Sequence, residues 1–196
     1  MNPSTHTRPS RTAPVTAALL SFVSLAALAA CGGQPAEGAG DSPPPATRTT
    51  RFTENGVTVT LSVSDWHASQ GTLTAVFTPE AKGFHLYSAD LPPNGIEGVG
   101  RPTAMAVTGA LKAQGRLTAA ADVRSISVPG VDAPVPVYPD GPVTTTLPVR
   151  ADAGGDATVL FGYASCSTRD GCTIPVSDHP VHLRITGDGP AFDAAP

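Results

Sequence analysis

The strongest regularity in the chain begins at Gly56. In GVTVTLSVSDW, Val57, Val59, Leu61 and Val63 alternate with threonine and serine. Apolar residues at a period of two mark a strand with one face buried. GTLTAVFTPE, residues 71–80, follows a short polar turn and reads as its hairpin neighbour. Further strands are predicted over 84–91, 102–109, 122–130, 143–151, 156–166 and 179–186, with Gly, Pro and Asp between them. No segment combines ten or more residues of helical period with good caps. About eight short antiparallel strands punctuated in this way predict an all-β sandwich.

The ends of the chain depart from that pattern. Arg8 and Arg11 precede an uncharged run, residues 13–30, which closes on Leu28-Ala29-Ala30-Cys31-Gly32-Gly33. Small residues directly before a cysteine resemble the lipobox of bacterial lipoproteins. The resemblance implies removal of residues 1–30 as a signal peptide and acylation of Cys31. The competing reading is an uncleaved membrane anchor, since eighteen uncharged residues lie at the lower limit for spanning. Two acyl chains hold a terminus firmly where one does not, so the expected location is the extracytoplasmic face of the cell membrane. Residues 31–50 hold almost no large apolar side chain and read as a disordered Gly/Pro-rich tether. The folded domain is expected over 51–187, and 188–196 as a disordered tail.

Composition then narrows the partners. The chain has 196 residues, 21 of them Pro and 20 Gly, long enough for one domain that needs no staple to fold. Removing Arg8 and Arg11, and no acid, leaves 10 basic and 16 acidic groups, a formal charge of −6. That argues against nucleic acid as a partner, and leaves the lipid anchor as the only tie to the membrane.

Charge and pattern leave one candidate for chemistry. With Cys31 lipidated, Cys166 and Cys172 form an even pair in a compartment where disulfides persist. Flanking strands place them at the mouth of a hairpin, with Ser-Thr-Arg-Asp-Gly as the turn. A seven-residue ring stabilises by only about 2 kcal/mol, whereas a ring of a hundred residues gives nearly twice that. Spacing alone leaves two readings open, a structural hairpin staple or a pair that exchanges. Arg169 is the one nearby cation and Asp170 opposes it, so no strongly activated thiolate is expected. His179 and His182 would complete only an irregular zinc set, and no metal is expected. Trp66 and His67 read as packing or turn residues, and Asp132 and Asp140 as turn formers. Of His85 and Tyr87, one is expected to face solvent. Ser165 and Ser167 lie in no nucleophile elbow.

The segment VLFGYASCSTRDGCTIPVSDHPVHLRI resembles the end of the N-terminal periplasmic domain of the thiol:disulfide interchange protein DsbD. Tyr163, Cys166, Cys172 and Pro175 fill the family's places. GFHLYS, residues 83–88, is similar to the family's aromatic strand, and TTTLPVRA, residues 144–151, to the strand after its cap loop. The resemblance spans roughly 52–186.

It implies an immunoglobulin-like antiparallel β-sandwich with the cysteines on adjacent strands, acting as a protein-disulfide reductase with no bound cofactor. Cys172 would form the mixed disulfide with partners and Cys166 would resolve it, with Tyr87 packed nearby. A cap loop would shield the pair. Its counterpart is GVDAPVPVYPDG, residues 130–141, where prolines dominate and Tyr138 is the one aromatic. The family continues into a multi-helix membrane domain and a thioredoxin-like domain, which this chain lacks up to Pro196. The expected electron donor is therefore a separate membrane thiol transporter or thioredoxin-like reductant, and the acceptors are oxidised exported proteins. The alternative is an immunoglobulin-like lipoprotein with an inert disulfide, serving as a binding module.

Overall fold

The computed structural model describes residues 48–192. The segment expected to be a signal peptide, Cys31, most of the expected tether and residues 193–196 lie outside the described residues. Within them the chain forms fifteen strands: β1 (Thr49–Glu54), β2 (Val57–His67), β3 (Gln70–Pro79), β4 (His85–Leu86), β5 (Ala104–Gly109), β6 (Leu111–Ala113), β7 (Thr118–Ala119), β8 (Arg124–Ile126), β9 (Val135–Val137), β10 (Val143–Ala151), β11 (Gly155–Tyr163), β12 (Ser165–Ser167), β13 (Gly171–Cys172), β14 (Val176–Thr186) and β15 (Gly189–Phe192). No helix occurs among the described residues.

The alternation seen in the sequence becomes two facing sheets. One has the order β1-β2-β3-β10-β6, with β7 also on β10; the other runs β15-β14-β11-β5. All of these pairings are antiparallel. Val57, Val59, Leu61 and Val63 of β2 and Leu73, Ala75 and Phe77 of β3 are buried on one side. Across the core, Phe77 meets Phe161 edge-on at 5.9 Å and Tyr163 at 5.6 Å. Side chains from both inner faces thus interdigitate in one hydrophobic cluster, as a two-layer β-sandwich requires.

Turn chemistry differs between the first two hairpins. Asn55 and Gly56, with φ of 49° and 75°, are residue types suited to a two-residue turn with both φ positive. The β2–β3 turn places Ala68 and Ser69 at φ 47° and 62°, where a Cβ is unfavourable. Replacing Ala68-Ser69 by Asn-Gly should therefore raise stability by about 1 kcal/mol. The check is a higher denaturation midpoint at unchanged slope.

Both domain boundaries move outward. β1 begins at Thr49, inside the stretch assigned to the tether. At the other end, Gly189–Phe192 of the expected tail pairs with Leu183–Thr186 and buries Phe192. The turn between β14 and β15 is closed by Thr186, whose Oγ1 donates to the Gly189 carbonyl at 2.9 Å. A Cβ at Gly189 would come within 2.7 Å of the Trp66 ring. One large apolar residue, Phe192, among Gly, Asp, Pro and Ala gives no readable period, so the strand is set by its partner β14 rather than by its own pattern. The strands expected over 84–91 and 122–130 shrink to β4 and β8, because only those residues form a ladder with a partner strand, β12 and β9 respectively.

Candidate functional site

A smaller structure sits beside the main sandwich. β13, β12 and β4 form a three-stranded sheet, and β8 pairs with β9. β12 follows one residue after β11, and β13 lies three residues before β14. The β11–β14 ladder, whose last pair is Tyr163↔Val176, is thereby extended to Cys166↔Cys172. The cysteines are direct cross-strand partners, bonded to each other, with their Cα atoms 4.0 Å apart. Ser167 braces the intervening turn: its Oγ accepts the Arg169 and Asp170 amides and donates to the Asp170 carboxylate at 3.0 Å.

The two sulfurs live in different surroundings. Cys166 is 4% exposed and belongs to a second hydrophobic cluster with Tyr87, Leu91, Val135, Val137 and Ala164. Cys172 is exposed. The Tyr87 hydroxyl lies 3.0 Å from Cys166 Sγ and 3.8 Å from Cys172 Sγ. A disulfide sulfur carries no proton, so the tyrosine donates. Burial pushes the Tyr87 hydroxyl pKa above its ordinary value, which keeps that proton in place.

Tyr87 is itself held firmly. Its carbonyl accepts from Thr103 Oγ1 at 2.7 Å and from the Thr103 amide at 3.3 Å. Gly100 admits the ring, since a Cβ there would stand 2.8 Å from Tyr87 Cδ1.

The disulfide opens onto a cavity of about 310 Å³ lined by His85, Tyr87, Val99, residues 126–129, Cys166, Ser167, Thr168, Gly171 and Cys172. A larger cleft, about 540 Å³, runs past Trp66, Ala151 and Thr186 and holds neither cysteine. Among the described residues, no group of three or more His, Cys, Asp and Glu could hold a metal ion.

Several expected placements need correction. Tyr138 is not over the disulfide. Val137 and Tyr138 are adjacent in extended chain and face opposite ways: Val137 enters the small cluster, Tyr138 the main core. The Tyr138 hydroxyl accepts the Ala89 amide at 2.9 Å. The segment over the pair is instead 126–129, with Val99 beside it. Tyr163 also turns away, following the inward face of β11 with Ala157, Val159 and Phe161. Its hydroxyl donates to the Glu54 carbonyl at 3.1 Å. Pro175 is exposed and does not line the cavity.

His85 and Tyr87 are both buried, rather than one facing solvent. Residues two apart on a strand share a face, and that spacing was the available signal for His85. The residues 126–129 carry no such signal.

Comparison with known proteins adds one likeness. No family model matches the chain, and no curated protein matches it. It is similar to a solved structure, the Neisseria meningitidis DsbD n-terminal domain in the reduced form. Identity is 16%, over 70% of this chain and 90% of that one, with a TM-score of 0.43.

Proposed function

We propose that this chain is a thiol:disulfide interchange domain, a protein-disulfide reductase relaying electrons through Cys166–Cys172 from a membrane thiol donor to oxidised exported proteins. Anchoring through acylated Cys31 would hold it on the extracytoplasmic face of the cell membrane.

The observation that carries the reading is the unequal exposure of two bonded sulfurs. A donor thiolate reaches Cys172 Sγ, and the bond to Cys166 breaks. Cys166 then leaves as a thiolate beneath the Tyr87 hydroxyl, an arrangement suited to a leaving group. A second donor thiol releases the donor as its own disulfide and leaves the chain as a dithiol. In the forward half, the Cys172 thiolate attacks a client disulfide, and Cys166 displaces the client as a thiol. Ile174, 74% exposed and two residues beyond Cys172, offers an apolar contact beside the reacting sulfur. The short ring supports the same reading, because opening it forfeits only about 2 kcal/mol of stabilisation.

The test is capture in cells. Cys166→Ser leaves the exposed thiol without its resolving partner, and mixed disulfides should accumulate on Cys172. Cys172→Ser leaves only the buried thiol and should capture little. A redox titration of the intact pair should fall near the thioredoxin range of about −270 mV or higher. A pair that stays oxidised in cells, captures nothing in either variant and titrates below about −300 mV is an inert staple, and the chain is then a binding module.

A further inference from the structure

Among the described residues, His85 is the one nitrogen-bearing side chain lining the disulfide cavity. It is 4% exposed, and it stands directly opposite Cys166 in the β4–β12 register. One face of its ring is accounted for: Nδ1 lies 3.6 Å from Asp140 Oδ1 at the surface. The other nitrogen, Nε2, is buried and has no hydrogen-bond partner among the described residues. An unpaired buried polar atom is costly, and one of this kind calls for an explanation. Packing alone supplies none, since a phenylalanine ring would fill the space without the penalty.

We propose that His85 is the proton acceptor for the Cys166 thiol, with Asp140 steadying the imidazolium that forms. The assignment rests on the interchange reading and refines its resolving step. In that step Cys172 is joined to a client sulfur and Cys166 is a thiol. The Sγ–H bond of Cys166 breaks and an N–H bond forms at Nε2, directly or through the Tyr87 hydroxyl. The sulfur's electron pair makes the new bond to Cys172 Sγ. The Cys172–client bond breaks, and its pair leaves on the client sulfur, which takes up a proton from the imidazolium or water. The client disulfide is the oxidant, and the dithiol is the reductant.

The surroundings keep the imidazole in the accepting form. Burial lowers the His85 pKa from its ordinary value and outweighs the opposing pull of Asp140. Among the described residues, the titratable groups facing it are Tyr87 just beyond β4, Asp140 from the loop after β9, and the cysteines of β12 and β13 when reduced. The covering segment 126–129 contributes none.

The experiment follows a single turnover of the full chain in its dithiol form with oxidised glutathione. Acid quenching and mass spectrometry read the formation and decay of the Cys172–glutathione adduct from pH 6 to pH 9.5. In the wild type, adduct decay should vary little with pH from neutrality upward. In His85→Phe it should fall about tenfold per pH unit below the thiol pKa, reach a deficit on the order of a hundredfold near neutrality, and recover at high pH. The same variant should melt no lower than the wild type, which separates proton transfer from a structural role. Asp140→Asn alters only a surface group, whose carboxylate is 63% exposed. It should slow decay by about two- to fivefold below pH 8. A His85→Phe profile that follows the wild type overturns the assignment while leaving the interchange reading intact. If His85→Phe does not fold, an unchanged Asp140→Asn profile overturns it. Failure of the wild type to form either adduct or disulfide overturns both.

Discussion

Tyr87→Phe should slow reduction of the Cys166–Cys172 bond by a small thiol roughly tenfold to a hundredfold. The hydroxyl sits 3.0 Å from Cys166 Sγ. It meets a weak acceptor while the disulfide is intact and a strong one once Cys166 departs as a thiolate. Only the part of the interaction that grows along the reaction affects the rate. A hydrogen bond to a charged group contributes about 1.5–3 kcal/mol, and each 1.4 kcal/mol is a factor of ten. Because burial raises the Tyr87 pKa, the donor stays protonated across the working range, and the loss should be uniform between pH 6 and pH 9. Phenylalanine keeps the ring against Gly100 and Leu91, so the denaturation midpoint should barely move. Pseudo-first-order reduction by dithiothreitol, read by thiol alkylation, measures the effect. A variant within twofold of the wild type removes Tyr87 from the reaction.

Tyr163→Ala should destabilise the domain by about 3–5 kcal/mol, the usual loss for truncating a fully buried large aromatic. Tyr163 is completely buried and packs edge-on against Phe77 of the facing sheet. Tyr163→Phe keeps that packing and removes only the bond to the Glu54 carbonyl, with an expected cost of about 1 kcal/mol. Reducing the disulfide should fall between them, at about 2 kcal/mol. Denaturant titrations of the full chain give the order directly. If reduction proves more damaging than Tyr163→Ala, the small ring is the principal staple and the account of the core is wrong.

What the sequence made legible was the part governed by local period. Val57 to Val63 alternate in the sequence and are buried in alternation in the fold. The position of Cys166 and Cys172 at the end of two paired strands follows from the apolar runs on either side. The parts that stayed hidden depend on contacts between distant segments. Phe192 becomes a core residue because β14 offers an edge to pair with. Val128 and Pro129 come to line the disulfide cavity because β8 and β9 dock there, not because of anything in their own residues. The family segment points to Tyr163 and the cap-loop counterpart to Tyr138 as neighbours of the pair, but strand alternation turns both into the main core. His85 and Tyr87, two residues apart, fall on one face and are both buried, so alternation does not send either to solvent.

The division of the apolar interior into two clusters has a consequence for inheritance. Cys166 packs with Tyr87, Leu91, Val135, Val137 and Ala164, while the sandwich core is a separate set. Substitutions at distant, unshared contacts combine nearly additively. The main core can therefore drift through conservative apolar exchanges without retuning the environment of the buried sulfur. Conversely, a handful of positions around Tyr87 can change that environment while the sandwich stands. Folding and reactivity are in this way open to separate adjustment within one small domain.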